Sequence, residues 1–203
     1  MVGIDGMMSI NPIPVDLQAD HLAARSSIPL NEARTALEIA GPLLVPAGVF
    51  EEIDPQQLAA SKFGPPVFNG SRTIIIGLCQ LGNRSSRREA FQILRSPIRG
   101  ALIHLLFRDA LDFLEYRIRQ FLKPTGRQPG PRRVPGCREL PLEANRTILN
   151  YFGPEHHGGL TTLPSGEMDT PAGLAFAYPT TDKTIAPDHR CAGCTRNCPA
   201  RIE

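Results

Sequence analysis

The stretch that most limits how this chain folds runs from Ser96 to Leu122. Ile103, Leu106, Phe107, Ala110, Leu111, Leu114, Ile118 and Phe121 recur there at three- and four-residue steps. That spacing lines one face of an α-helix with apolar side chains. Ser96 supplies a cap, Pro97 sits in the first turn where its missing N–H costs nothing, and Lys123-Pro124 stops the run. The pattern predicts one long helix with a single core face. Arg108 with Asp112, and Glu115 with Arg119, stand four apart and read as opposite-charge pairs on a solvated outer face.

Strand signals flank this helix on both sides. Thr73 to Cys79 is β-branched and continuously apolar, the composition of a central strand buried on both faces. Cys79 then reads as a buried structural thiol. Further strands are expected at Ile13–Val15, Val49–Ile53, Gly158–Leu163 and Ala172–Tyr178. Shorter helices are expected from Glu32 to Ala40, capped by Asn31 and stopped by Gly41-Pro42, then from Pro55 to Ala60, Arg87 to Arg95, and Leu142 to Phe152. Strands before, between and after helices give an α+β fold, a mixed or antiparallel sheet with helices packed on it.

At 203 residues the chain is long enough for one real hydrophobic core. It divides into a leader with a first strand over 1–30, the α+β domain over 31–185, and a cysteine-rich tail over 186–203. A net charge of +2 does not call for nucleic acid or an anionic membrane as partner. No apolar run is long enough to span a bilayer, and Met1 to Asp5 does not open a secretory signal. Five cysteines, three of them within the last 13 residues, are the distribution of a metal site in a reducing compartment. The expected location is therefore cytoplasmic.

Two stretches carry the chemistry. Arg132 to Leu142 contains the turn dipeptide Pro135-Gly136, in which proline presets φ and glycine accepts the positive φ that other residues resist. Pro141 is placed for a first helical turn. Lys123 to Gly136 holds four prolines, three glycines, four basic residues and no acid. An arginine in such a loop reaches a carboxylate or phosphate through two parallel hydrogen bonds; the plain alternative is a basic surface loop. In the tail, Cys191, Cys194 and Cys198 crowd three thiolates into eight residues, with Pro199 after the last. Thiolates select zinc or iron–sulfur over hard cations. Cys137 stands as the fourth ligand of an iron–sulfur cluster if the turn folds onto the tail, His189 as the fourth ligand of zinc. Reduced thiols without metal are the third reading. His156 and His157 read as loop residues, and His104 as a packed or rim histidine.

Arg132, Pro135-Gly136, Leu140-Pro141-Leu142, Ile148-Leu149, Gly159-Leu160-Thr161 and Ser165-Gly166-Glu167-Met168 together resemble one family. It is the S-adenosylmethionine-binding activation domain of cobalamin-dependent methionine synthase, in particular its short stand-alone forms that end in a cysteine cluster. The likeness is closest over about residues 130–200 and collinear over about 30–122. The resemblance implies that Arg132 helps hold S-adenosylmethionine, with Pro135 and Gly136 forming the turn beside it. Cys137 takes the position of a tyrosine that faces the corrin. The resemblance also implies backbone contacts to adenosine from the segment around Gly159 to Met168. On the long helix the family's glutamate aligns with Arg117, and Glu115, two residues away and about 200° around the helix, is the candidate contact. The family's Pro-x-Lys-Ser-x-Ser is replaced here by Thr170-Pro171-Ala172-Gly173-Leu174-Ala175.

The function so implied is reactivation of an oxidised corrinoid by S-adenosylmethionine and one electron. Cobalamin resides on the partner, a corrinoid protein or cobalamin-dependent methyltransferase, and an electron donor or the tail cluster supplies the electron. Two other functions fit the same residues. One is a non-catalytic or electron-transfer iron–sulfur module that docks to a corrinoid protein; the other is a zinc-stabilised binding module.

Overall fold

The computed structural model describes residues 3–4, 6–59, 68, 71–137 and 140–182. Their elements in chain order are β1 (Gly3–Ile4), β2 (Met7–Ile10), α1 (Ala19–Ser26), α2 (Leu30–Ala40), β3 (Pro46–Ile53), α3 (Pro55–Ala59), β4 (Ile74–Leu81), α4 (Arg84–Ile93), α5 (Ser96–Leu122), β5 (Gln128–Pro129), α6 (Ala144–Phe152) and β6 (Gly173–Thr181). The strands form one sheet in the order β1-β2-β3-β4-β6-β5. Every neighbouring pair is antiparallel. The expected α+β class is what forms, with the antiparallel of its two sheet alternatives.

β4 is the middle of this sheet, paired along its whole length with β3 and over seven residues with β6. Its side chains alternate cleanly, as a pleated strand requires. Ile75, Cys79 and Leu81 enter one apolar layer, while Ile74, Ile76 and Leu78 enter the other. β6 repeats the pattern, with Leu174, Phe176 and Tyr178 on the first side and Ala175 and Ala177 on the second. The first layer is covered by α1, α2 and the long α5, and the second by α6.

α5, about 40 Å long at the usual rise, lies close on the first face because glycine clears the way. A Cβ on Gly48 would come within 2.8 Å of the Leu114 side chain of α5; within the sheet, one on Gly77 would come within 2.2 Å of the Phe176 ring of β6. The helix begins at Ser96 itself, so Arg95 and not Ser96 holds the N-cap position and no side chain caps it; Pro97 lies in the first turn, and the helix runs into a 3₁₀ turn at Lys123–Thr125. Among the described residues no helix is long and apolar enough to cross a membrane.

Several boundaries differ from expectation, each for a local reason. Ile13 is not in a strand; it is a buried anchor whose N–H donates to the Pro46 carbonyl, and the first long strand is β2. α2 starts at Leu30, after Pro29, so Asn31 lies inside the helix. α4 starts three residues before Arg87 because Asn83 and Ser86 form a reciprocal capping box. Gly158–Leu163 is no strand. Positive φ at Gly158 and Gly159 bends it, and its only ladder contact is a bridge from Thr162 to Met168.

Candidate functional site

The Pro135-Gly136 turn forms as its residues dictate. Cys137 N–H donates to the Val134 carbonyl across it (2.9 Å), and Gly136 takes φ +81°, the arrangement of a type II turn. Gly136 N–H in turn donates to the Leu140 carbonyl at 2.8 Å, closing the loop before α6. Cys137 sits half-buried on this turn.

Just before the turn, the chain runs alongside β6. Arg133 and Ala177 exchange both backbone hydrogen bonds at 2.8 Å. Strand-like pleating sends neighbouring side chains to opposite sides, and the two arginines separate accordingly. The Arg133 guanidinium lies over the Phe68 ring at 5.8 Å, on the second layer. Arg132 goes to the α5 side and is 8% exposed.

Arg132 enters a buried polar cluster. Glu115, 4% exposed, projects from α5, and its carboxylate accepts from the Tyr178 hydroxyl at 3.1 Å. Arg119, largely in solvent, donates to the same carboxylate at 2.8 Å from one helical turn away. Burial pulls the Arg132 pKa down, but Tyr178, Glu115 and Asp112 outweigh it and the net shift is upward, so this guanidinium stays charged. Cys79 lies on the same face. Burial pushes its thiol up to about 12 against the opposing pull of Arg132, which leaves it inert as a nucleophile at neutral pH.

The expected solvated face of α5 is thus only partly solvated. Arg108 pairs with Asp109 at 2.7 Å instead of with Asp112. The Glu115–Arg119 pair does form, but its acid is in the core. Leu111, Glu115, Ile118 and Leu122 stand at offsets of four, three and four, which places Glu115 on the apolar stripe. That spacing was readable; the charge of the residue argued against it. Asp112 and Tyr178 are the members of the cluster that sequence reasoning missed. Tyr178 carries only the signal of an in-facing strand position.

The other expected contacts lie elsewhere. Met168 packs into the second apolar layer, across the sheet from Arg132. Gly159 takes φ +75° at the start of α4, where a Cβ would sit 3.2 Å from that of Arg84. The surrounding loop is pinned by side chains. Arg87, 4% exposed, donates to the Gly82 and Gly158 carbonyls at 2.7 and 2.8 Å, and Asn145 donates to the Gly166 carbonyl at 2.9 Å. The structure therefore brings Arg132, three residues before the turn, together with Glu115, and places Met168 in the layer on the other side of the sheet.

Cys191, Cys194, Cys198 and His189 lie outside the described residues. Among the described residues no group of three or more His, Cys, Asp or Glu side chains is arranged to hold a metal ion. What the described cluster holds is one buried guanidinium facing the Glu115 and Asp112 carboxylates and the Tyr178 phenol. No protein-family model matches the chain and no curated protein matches it in sequence, so a functional reading rests on this geometry and on the resemblance in its motifs.

Proposed function

We propose that this chain is a cytoplasmic accessory protein that reactivates a cobalamin- or corrinoid-dependent methyltransferase, using S-adenosylmethionine for reductive methylation in the manner of the methionine synthase activation domain. The observation that supports it is the meeting of Arg132 and Glu115. The resemblance gives Arg132 by its motif and Glu115 only as a neighbour of the aligned position, and the fold packs the two into one polar cluster.

In this reading Arg132 anchors the methionine carboxylate through its two-pronged guanidinium. Glu115 and Asp112 balance the ammonium and sulfonium charges. Tyr178 fixes the Glu115 carboxylate through its hydroxyl. Bound S-adenosylmethionine supplies the activated methyl; the protein's part is to hold the ligand in one orientation at the surface that meets the corrinoid. The activation-domain-like fold belongs to the same proposal. So do Cys191, Cys194 and Cys198 as ligands of an iron–sulfur centre, and so does an electron-donor protein as second partner. Zinc at those cysteines fits the version without electron delivery.

A second reading has its own support. The charge of Arg132 is already met from within by Glu115, Asp112 and Tyr178, as in a static keystone. The chain then docks to a corrinoid protein without binding the methyl donor. Titration calorimetry with S-adenosylmethionine separates the two. The first reading expects wild type to bind and Arg132→Lys, which keeps the charge but loses the fork, to bind at least about tenfold more weakly. Absence of binding to folded wild type discards the first reading. Retention of a cobalt-containing protein in an anaerobic pull-down would then favour the second.

A further inference from the structure

At the opposite end of α5, an open groove of about 580 Å³, with Arg25, Gly100 and Pro171 exposed, lies between the last turn of α1 and the first turns of the long helix. Its size is that of a small-molecule site rather than of a lone ion. Arg25, Arg99 and His104 line it, and no acidic residue does. Every ionisable group on its wall is therefore one that carries positive charge when protonated, in a protein whose net charge is only +2. Arg99 donates to the Phe91 carbonyl at 3.4 Å and lies 5.3 Å over the Phe91 ring. These two contacts fix the plane of its guanidinium.

Two further features point inward. Gly100 lies in the interior of α5, where glycine is less stable than alanine. A Cβ there would meet nothing within 4 Å, so close packing does not require the glycine. It borders the groove, and its missing side chain widens the space beside Arg99. Ile103 and Pro171 add an apolar wall on which an organic group can lie. The amino end of α5 contributes a fixed partial positive charge to the same space. Gly100 and Glu115 are 15 positions apart along one helix, about 22 Å at the usual rise, so this groove is separate from the Arg132 cluster.

We propose that this groove binds a small organic phosphate, with Arg25 and Arg99 on the phosphate oxygens and the organic group against Ile103 and Pro171. Doubly charged phosphate suits paired guanidinium groups better than a monoanion does, and the apolar wall distinguishes an ester from the free ion.

Phenyl phosphate and inorganic phosphate, titrated separately into the full-length chain at low ionic strength and followed by ³¹P line broadening, test this. Phenyl phosphate is expected to bind more tightly than inorganic phosphate. Arg99→Gln is expected to weaken its binding at least about tenfold. Gly100→Leu, which projects a side chain into the space beside Arg99 without a steric clash at Cβ, is expected to weaken binding at least about tenfold while leaving the thermal midpoint unchanged or higher. Because that second variant keeps the fold, a loss of binding there is not a loss of structure. Equal affinity for the two probes overturns the assignment to an organic phosphate. No binding by wild type, or unchanged binding in both variants, overturns the site itself.

Discussion

The two faces of the sheet use the same strands and solve different problems. On the α5 face the core admits Glu115, Arg132 and Tyr178, with Asp112 facing the same guanidinium. On the α6 face the core side chains are apolar, from Val49 and Ile76 to Ile148 and Phe152, and the Arg133 guanidinium lies over the Phe68 ring on that side. Two buried polar side chains elsewhere, Arg87 and Asn145, donate to loop carbonyls. Such a bond replaces water on a backbone carbonyl and stabilises by about 1 kcal/mol. A buried ionic cluster does not stabilise in proportion to its contacts, because desolvation offsets most of the attraction. Its effect shows when one member is removed. The contrast marks the α5 face as the one where chemistry other than packing has been accommodated.

That contrast is open to attack by mutation. Glu115→Ala should cost about 3–5 kcal/mol in chemical denaturation, since it leaves Arg132 charged in the core. Replacing Glu115 and Arg132 together by leucine and methionine should return most of that loss. A single-variant cost under about 1 kcal/mol would show the cluster to be solvated and erase the difference between the faces. Gly77→Ala should cost about 3 kcal/mol by overpacking against the Phe176 ring and the Val49 carbonyl, with a shift in the Phe176 ring resonances as the second readout. On the opposite face, Asn145→Ala should cost about 2 kcal/mol by leaving the Gly166 carbonyl without its donor. Proteolysis between Gly158 and Met168 should speed up in that variant without a change on the α5 face.

The smallest effect is absent at neutral pH. The buried Cys79 thiol is raised from an ordinary 9.0 to about 12, so above pH 9 the unfolded chain releases a proton that the native state keeps. Stability is then full below pH 9 and falls as pH rises toward 12. By pH 10 the loss is about 1 kcal/mol from this group, and Cys79→Ala should flatten that slope. An unaltered slope in the variant would place the alkaline sensitivity elsewhere.

Much of the fold was legible before any coordinates. The period of α5, the apolar run of β4 and the Pro135-Gly136 turn each follow from short-range rules, and all three form where their residues call for them. The misplaced boundaries share a cause. Asn83 caps α4 and Asn31 caps nothing, though both are good capping residues, because Pro29 starts α2 earlier. Gly158–Leu163 has the composition of a strand, but paired positive-φ glycines turn it out of the sheet. For the candidate site, Arg132 was marked by its loop and by the resemblance, Glu115 entered only through the resemblance, and Tyr178 and Asp112 were not reached at all. Nothing local tells an in-facing strand tyrosine from one that orders a buried acid.

The sequence by itself determined periodicity, turn chemistry and the sign of charge along each stretch, because these depend on neighbours within a few residues. Only the tertiary structure decided which of Arg132 and Arg133 faces α5, and that Glu115 lies beneath it. That choice depends on the register of a short segment against β6. A slip of one residue would exchange the two side chains across the sheet, and no property of either arginine alone distinguishes the outcomes.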